Sequence, residues 1–271
     1  MERPSFFFLS ETKSSLDKST RLLRLCNNYK IHIVPCHGLA GGLWFGWDRN
    51  INVEIISSSD SIIHGFPRYA TWDLLCCYVH PSIEGRRSFL DFVRSFNSAN
   101  NEPYCIIGDL NMITKVGEKN TGAQLKVRVL KEFTKLLDDC ALIDLGGAGP
   151  HFTWSNRHNT QNLVKQRLDR TLVSCNWSEN FPNATVFHLP MLAGDHSPLL
   201  LQLVLKQKRT GHTRFESFWF KDNDFYDKFF ENWTLAPRSF IDKCKTVKNG
   251  MVSWAQRKYG CIHHHIRRLE Q

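Results

Sequence analysis

Long apolar runs are absent from this sequence of 271 residues. No stretch approaches the roughly 20 apolar residues that a membrane-spanning helix requires. The apolar segment near the N-terminus, residues 6–9, is too short for the hydrophobic region of a secretory signal and leads directly into Ser10 and Glu11. We therefore expect a soluble intracellular protein, in the nucleus or the cytoplasm, with no membrane partner.

Cysteine pairs of the Cys-x-x-Cys type are also missing, although the chain has nine cysteines. Most of them are scattered over apolar runs, which is typical of reduced, buried thiols, so we expect no disulfide-linked partner. A phosphate-binding loop is absent as well. The glycines at 38, 41 and 42 lack the Gly-Lys-Ser/Thr ending, and no helix is predicted after them, so they indicate a turn.

The composition supports a folded protein with an uneven charge distribution. Hydrophobic residues make up 42% of the chain, enough for one large α/β domain with an appendage or for two small domains. Residues 206–271 contain 14 Lys/Arg and 7 Asp/Glu, so most of the net charge of +9 lies there. Such a tail is consistent with a polyanionic partner and equally with a merely basic surface. We divide the chain into a domain over 1–205 and a basic, aromatic-rich helical tail over 206–271.

Hydrophobic periodicity predicts alternating strands and helices. Helices are expected over 16–25, 88–96 and 125–140, with a short helical turn over 177–181. The aromatic residues between 215 and 233 have helical spacing and indicate a docking face more than a base-stacking site. The triplet at 263–265 indicates a solvated helix end, with metal binding by the three histidines as the alternative. Strands are expected over 4–10, 31–34, 43–47, 53–56, 62–66, 72–79, 105–107, 152–154, 164–173 and 199–205.

The strand over 105–107 carries the most informative residues. It ends at Gly108, which permits a close backbone turn, and is followed by Asp109 and Asn111. Two residues apart in an extended chain, these side chains point the same way. A carboxylate and an amide at a strand end can position a water molecule, a metal ion and a phosphate. The alternative is a strand followed by an Asx-type turn.

Four other predicted elements have polar residues that hydrolytic chemistry could use. Glu11 follows the first strand, Tyr78 lies late on the strand over 72–79, Asp169 lies in the strand over 164–173, and Asp195-His196 precede the last strand. Side chains gathered at one edge of packed sheets form a natural site. Each also has a simpler interpretation. Glu11 could favour a helix entry, Tyr78 could pack in the sheet, and Asp195-His196 could form a turn. Asp169 could form surface ion pairs with the arginines at 167 and 170, and Trp154 could pack beside the site or contact a substrate strand.

Taken in order, six short motifs resemble the endonuclease/exonuclease/phosphatase superfamily. The resemblance is closest to the apurinic-type endonuclease domain of plant LINE-like (non-LTR) retrotransposons and covers about residues 5–205. Each motif is weak alone, but six in the right order are specific. The motifs are Leu9-Ser10-Glu11-Thr12-Lys13, Gly41-Gly42-Leu43, Ile107-Gly108-Asp109-Leu110-Asn111, Phe152-Thr153-Trp154-Ser155-Asn156, Arg167-Leu168-Asp169-Arg170 and Gly194-Asp195-His196-Ser197-Pro198.

The resemblance implies a fold, a partner and a reaction. The fold is a four-layer α/β/β/α sandwich, in which two mixed β-sheets pack face to face with helices outside. The partner is the phosphodiester backbone of DNA, and the reaction is metal-dependent hydrolysis of the endonuclease type. The segment over 214–219 is similar to the linker that precedes a reverse transcriptase in such elements, so that polymerase is expected downstream in the parent element.

Site roles also follow from the resemblance. Glu11 and Asp195 would hold Mg²⁺, with Mn²⁺ as an alternative, because hard oxygen ligands suit these ions. Asp109 would orient or deprotonate the attacking water, with Asn111 beside it as a catalytic and substrate-binding residue. His196 would contact the scissile phosphate and stabilise its charge. The further assignments are Asp169 fixing the ring of that histidine, Tyr78 bonding a phosphate oxygen and Trp154 touching the substrate.

The chain departs from the superfamily pattern at two places. Only ten residues precede Glu11, where the superfamily has an additional strand carrying an asparagine that helps to build the metal and phosphate site. Gly194 stands where the last motif has serine. These departures predict weak or lost activity and leave two other functions open, a non-catalytic nucleic-acid-binding remnant and a phosphatase acting on a phosphoinositide or a small phosphate ester.

Overall fold

The computed structural model divides the chain into two compact units, Met1–Leu205 and Lys206–Gln271. It describes residues 3–13, 24, 26–36, 41–68, 71–120, 127–158, 162–191, 194–203, 217–235 and 239–259. The helix predicted over 16–25 lies almost wholly outside these residues, as does the histidine triplet at 263–265.

A six-stranded mixed sheet forms the centre of the first unit. The strands are β4 (Val53–Ser58), β5 (Ile62–Pro67), β6 (Asp73–Tyr78), β7 (Tyr104–Asp109), β8 (Leu142–Asp144) and β11 (Asp169–Ser174). Their order across the sheet is β4-β5-β6-β7-β11-β8. Strands β6 and β7 are parallel, and every other neighbouring pair in this sheet is antiparallel.

Helices cover this sheet. Helix α1 (Ile83–Ala99) makes the crossover between the two parallel strands, and Ser82 caps its first turn by accepting a hydrogen bond from the amide of Gly85 at 3.0 Å. Helix α2 (Val127–Asp139) and the short helix α3 (Cys175–Asn180) follow. Apolar side chains of α1 and α2 pack on β6 and β7 around Phe89, Val93, Phe133, Leu136 and Ile106, all nearly inaccessible to solvent.

The remaining strands form one three-stranded sheet and two hairpins. The three-stranded sheet has the order β1-β3-β2, from β1 (Phe6–Leu9), β2 (Tyr29–Val34) and β3 (Leu43–Asp48). Phe45 of β3 lies against Gly65 of the six-stranded sheet, where an added Cβ would be 3.0 Å from the ring. The hairpins pair β9 (Trp154–Ser155) with β10 (Lys165–Gln166), and β12 (Thr185–His188) with β13 (Leu199–Gln202).

Most of the predicted elements are present, and the α/β fold class is confirmed. The expected strand over 164–173 is wrong in its continuity, because residues 167 and 168 interrupt it and divide it into β10 and β11. Strands β8 and β12 were not predicted, since both are short. In the part of the chain that the structure describes, no helix is both long enough and apolar enough to cross a bilayer.

The second unit is a helical hairpin. Helix α4 (Phe225–Leu235) packs along helix α5 (Phe240–Tyr259), preceded by a 3₁₀ turn over Ser217–Lys221. Trp219, Phe225 and Trp254 are buried between them, so the predicted docking face of aromatic residues packs within this unit at Trp219 and Phe225. They are the core of this unit, because a two-helix hairpin has no other apolar interior.

Candidate active site

Three neighbouring strands present polar side chains in one row across the central sheet. Tyr78 ends β6 and lies opposite Asp109, which ends β7; Asp109 lies opposite Asp169, which begins β11. Residues directly opposite in a sheet point to the same face. Parallel β6 and β7 and antiparallel β11 therefore bring a phenol and two carboxylates to one edge, although Asp109 and Asp169 are 60 positions apart in the chain.

The turn that follows Asp109 holds its carboxylate through hydrogen bonds. Its Oδ1 accepts a hydrogen bond from the backbone amide of Asn111 at 3.0 Å, and its Oδ2 accepts one from the Asn111 side-chain amide at 2.9 Å. The same side-chain amide donates to the Val79 carbonyl at 2.9 Å. Gly108 makes this approach possible. Its φ is +143°, and a Cβ there would overlap the carbonyl oxygen of Cys77 on the neighbouring strand.

His196 completes the row from a distant loop. Its Nδ1 donates to Oδ2 of Asp169 at 2.9 Å, and its Nε2 lies 3.8 Å from Oδ2 of Asp109. The second distance is too long for a hydrogen bond. One atom of a bound substrate or water could therefore contact both Nε2 and the Asp109 carboxylate, which is the arrangement that proton transfer to or from a reacting group requires.

Thr153 connects the strand of Asp169 to the loop of His196. Its hydroxyl oxygen accepts hydrogen bonds from the backbone amides of Leu168 and Asp169, both at 3.0 Å. The backbone carbonyl of Thr153 accepts a hydrogen bond from the amide of Ser197 at 2.7 Å. Sequence reasoning missed this role, because the partners are backbone atoms that no side-chain pattern reveals.

Replacing Thr153 with valine is expected to destabilise the protein by about 1–3 kcal/mol, because two buried amides lose their acceptor. Thr171 is the matched control. Its hydroxyl is equally buried and has no hydrogen-bond partner among the described residues, so Thr171→Val is expected to be neutral or stabilising. Urea unfolding of both variants measures the difference. Equal losses in the two would show that the Thr153 hydrogen bonds contribute nothing.

Glu11 reaches the row from the three-stranded sheet. Its carboxylate accepts a short hydrogen bond from the Tyr78 hydroxyl. The segment around Glu11 runs beside Gly41 and Gly42, whose carbonyls accept the amides of Lys13 at 3.1 Å and Thr12 at 3.2 Å. At Gly42, with φ +89°, a Cβ would lie 2.6 Å from the Thr12 hydroxyl. The glycine pair therefore gives the Glu11 segment room to approach.

Asp195 and Trp154 lie on the exposed side of the site. The indole nitrogen of Trp154 donates to Oδ2 of Asp195 at 3.0 Å, and Trp154 forms a backbone bridge with His196. The Asp195 carbonyl accepts the amide of Ser155 at 2.9 Å. Gly194 is joined to the same hairpin, because its carbonyl accepts a hydrogen bond from the Arg157 guanidinium. The Asp195-His196 turn is thus fixed to the β9 hairpin by side-chain and backbone contacts.

Electrostatic coupling is strong in this row. Burial, together with the nearby carboxylate of Asp169, raises the pKa of Asp109 to about 7. Burial by itself lowers the pKa of His196, but the hydrogen bond to Asp169 and the charges of Asp109 and Asp195 raise it to about 9. At a pH between these two pKa values, Asp109 is an ionised carboxylate and His196 facing it is an imidazolium.

Arg167 and Arg170 do not pair with Asp169, so the surface ion-pair interpretation of this residue is wrong. Both arginines are buried and turn away from Asp169 to bind Glu118 and Asp144. Arg167 and Arg170 therefore hold the start of strand β11 through their ion pairs, and the carboxylate of Asp169 binds His196 instead. Pairing with Glu118 and Asp144 could not be read from the sequence, because these partners are 23 to 52 positions away.

The carboxylates at this edge suit a divalent cation. One ligand atom from each of Asp109, Asp169 and His196 lies within 4.8 Å of the others. Glu11 is close enough to raise the pKa of Asp109 by its charge, and Asp195 acts on His196 in the same way. Oxygen donors of this kind fit Mg²⁺ or Mn²⁺.

No protein-family model matches the sequence, and no curated protein matches it. Solved structures do share its fold. A 3′ phosphatase, NExo from Neisseria bound to a product DNA hairpin, is 14% identical over 74% of this chain and 89% of its own, with a TM-score of 0.55. An AP endonuclease from Archaeoglobus fulgidus is 15% identical over the same shares, with a TM-score of 0.55.

The endonuclease domain of TRAS1, a telomere-specific non-LTR retrotransposon, is 14% identical over 66% of this chain and 82% of its own, with a TM-score of 0.52. At these identities the similarity establishes the fold and nothing more. The chain therefore shares the mixed α/β fold of these three solved structures.

Proposed function

We propose that this protein is a metal-dependent hydrolase that cleaves phosphodiester bonds in DNA, with a retroelement endonuclease as its closest functional type. The observation that supports this most directly is the convergence of Asp109, Asp169 and His196 on one edge of the sheet, with Glu11 and Asp195 beside them. Phosphodiester hydrolysis requires a positioned water, a positive group at the phosphate and a cation. Side chains at this edge of the sheet could supply each of these three requirements.

The water and the phosphate have separate partners in the row. Asp109 is oriented by Asn111 and orients or deprotonates the attacking water, since ionised Asp109 has acceptor capacity on both oxygens. His196 faces the phosphate with its Nε2–H and stabilises the negative charge that develops there. Asp169 keeps the ring in this orientation through Nδ1. Asn111 and Trp154 are the two further residues that would contact the substrate strand.

The cation would be held by Glu11 and Asp195. When bound, a divalent ion neutralises charge on the phosphate oxygens and favours ionisation of a coordinated water. The Tyr78 hydroxyl donates a hydrogen bond to Glu11, so in this structure Tyr78 orients a proposed metal ligand. The phosphate contact expected of Tyr78 from the resemblance then requires its hydroxyl to turn from Glu11 to the substrate.

The retroelement assignment rests on the order of the six motifs and on the linker-like residues 214–219. It carries three further proposals: a plant LINE-like parent element, a reverse transcriptase downstream and an intracellular location. The retroelement assignment also implies a further strand before β1, as in the superfamily. Among the described residues, β1 pairs only with β3, so its other edge has no strand partner.

Nicking of supercoiled plasmid DNA tests the function. Conversion to the nicked circle is expected with Mg²⁺ or Mn²⁺ and is expected to stop when EDTA removes the metal. Gel electrophoresis over a range of enzyme concentrations gives the rate. Cleavage that continues undiminished in EDTA would contradict a metal-dependent mechanism.

Two other results would select the alternative functions. Salt-sensitive DNA binding without cleavage at any metal concentration would identify a non-catalytic nucleic-acid-binding remnant. Release of inorganic phosphate from phosphoinositides or small phosphate esters, with the plasmid left intact, would identify a phosphatase of the same fold.

A further inference from the structure

Arg86 lies beside the candidate active site and has no role in the proposal above. It is in the first turn of α1, where its amide donates to the Ser82 carbonyl at 3.2 Å. Its guanidinium Nε donates to the backbone carbonyl of Asn111 at 2.9 Å. The helix that crosses between the two parallel strands therefore delivers a cation to the turn that carries Asp109.

The carbonyl that Arg86 binds belongs to an unusual backbone position. Asn111 has φ +49°, the left-handed conformation that non-glycine residues seldom adopt. Its amide and its side chain are both directed at Asp109, so its carbonyl faces the opposite way, toward α1. The bond to this carbonyl holds the Nε group of Arg86 at the turn that carries Asp109.

Arg86 still has unused donors. A guanidinium has five N–H groups, and the Nη groups of Arg86 have no hydrogen-bond or ion-pair partner among the described residues. Other arginines near this face differ: Arg167 and Arg170 bind carboxylates with both Nη groups, and Arg94 on the same helix pairs with Asp91 at 3.2 Å. Burial lowers the pKa of Arg86 and the charge of nearby Asp109 raises it, but no carboxylate among the described residues is within ion-pair distance of its Nη groups.

We propose that Arg86 binds a backbone phosphate of the DNA strand through its Nη groups, with Nε anchored on Asn111. This inference rests on the proposed function and extends it by one substrate-binding residue. The planar guanidinium matches the two oxygens of a phosphate, which a lysine ammonium does not. Anchoring on Asn111 places the bound phosphate at a set position relative to Asp109, so Arg86 would fix the register of the strand in the site.

DNA binding in EDTA tests this role apart from cleavage. The affinity of a labelled DNA duplex is measured by fluorescence anisotropy at several NaCl concentrations for the intact chain, Arg86→Gln, Arg86→Lys and Arg94→Gln. Arg86→Gln is expected to weaken binding about tenfold and to reduce the slope of log affinity against log salt by about 0.9, because one phosphate contact is lost. Arg94→Gln, which removes the same charge from the same helix, is expected to leave both unchanged.

Arg86→Lys keeps the charge but loses the planar pair of Nη donors, so we expect weaker DNA binding with the same slope of log affinity against log salt as the intact chain. This variant remains informative if the glutamine variant does not fold. DNA binding whose salt slope is the same in Arg86→Gln as in the intact chain would overturn the proposal and make Arg86 a positioning residue for Asn111. Absence of any salt-sensitive binding by the intact chain would overturn the proposed function together with this inference.

Discussion

Replacing Asp109 with asparagine is expected to lower the rate of DNA nicking by about 10²–10⁴-fold, the range for loss of a positioned acid–base group. Asparagine occupies the same volume but cannot accept a proton from water. It also removes the negative charge that faces Nε2 of His196 at 3.8 Å. The measurement is the initial rate of plasmid nicking in Mg²⁺ at saturating DNA, so that a change in affinity does not contribute.

Folding of the asparagine variant must be intact for this comparison, and we expect it to be. Asp109 is buried beside Asp169, and the resulting rise in its pKa means that its charge is unfavourable in the folded state. Asp91→Asn is the matched control, because Asp91 is exposed on α1 and its one ion-pair partner among the described residues is Arg94. Identical nicking rates for Asp109→Asn, Asp91→Asn and the unaltered protein would remove Asp109 from the mechanism.

Replacing Arg170 with methionine is expected to cost about 3–5 kcal/mol of folding free energy, the range for breaking a buried ion pair by removing one partner. Arg170 has no accessible surface, and its guanidinium binds Glu118 and Asp144 and donates from Nε to the Met112 carbonyl at 3.2 Å. Although burial by itself raises the pKa of Asp144, the charges of Arg170 and Arg167 lower it overall. Without Arg170, buried negative charge is left undercompensated.

An exposed pair provides the comparison. Arg128 bonds Glu132 on the surface of α2, with 79% of the arginine side chain exposed, and Arg128→Met is expected to change stability by less than about 1 kcal/mol. Combining Arg170→Met with Glu118→Met should recover part of the loss, since Arg167 still neutralises Asp144. A double variant as unstable as the sum of its two single variants would show that the ion pair is not the source of the effect. Guanidinium unfolding curves give these values.

The strands that position the site were predictable because burial on both faces leaves a plain apolar signal. Strand β7 was predicted over 105–107 and spans Tyr104–Asp109. Strands β8 and β12 were missed, because segments of three and four residues carry too little periodicity to be distinguished from loops. The break between β10 and β11 was missed because Arg167 and Leu168 continue the apolar and polar pattern although neither residue belongs to a strand.

Tyr78, Asp109 and His196 were predicted at or beside strand ends, and the structure brings them to one edge of the sheet. The residues that hold them in place were not predictable in the same way. Thr153 acts through an oxygen that binds two backbone amides, and Arg86 acts through a bond to a backbone carbonyl. Neither contact depends on the side-chain type of its partner, so no sequence pattern marks it.

By itself, the sequence determined the α/β class, the ends of the main strands and the polar residues placed at those ends, because hydrophobic periodicity and turn residues act locally. Only the tertiary structure decided which carboxylate each basic group binds. Asp169 sits between two arginines in the chain and pairs with neither, because alternate strand residues point to opposite faces and the register of β11 between β7 and β8 sends Arg170 to Glu118 and Asp144 and Asp169 to His196.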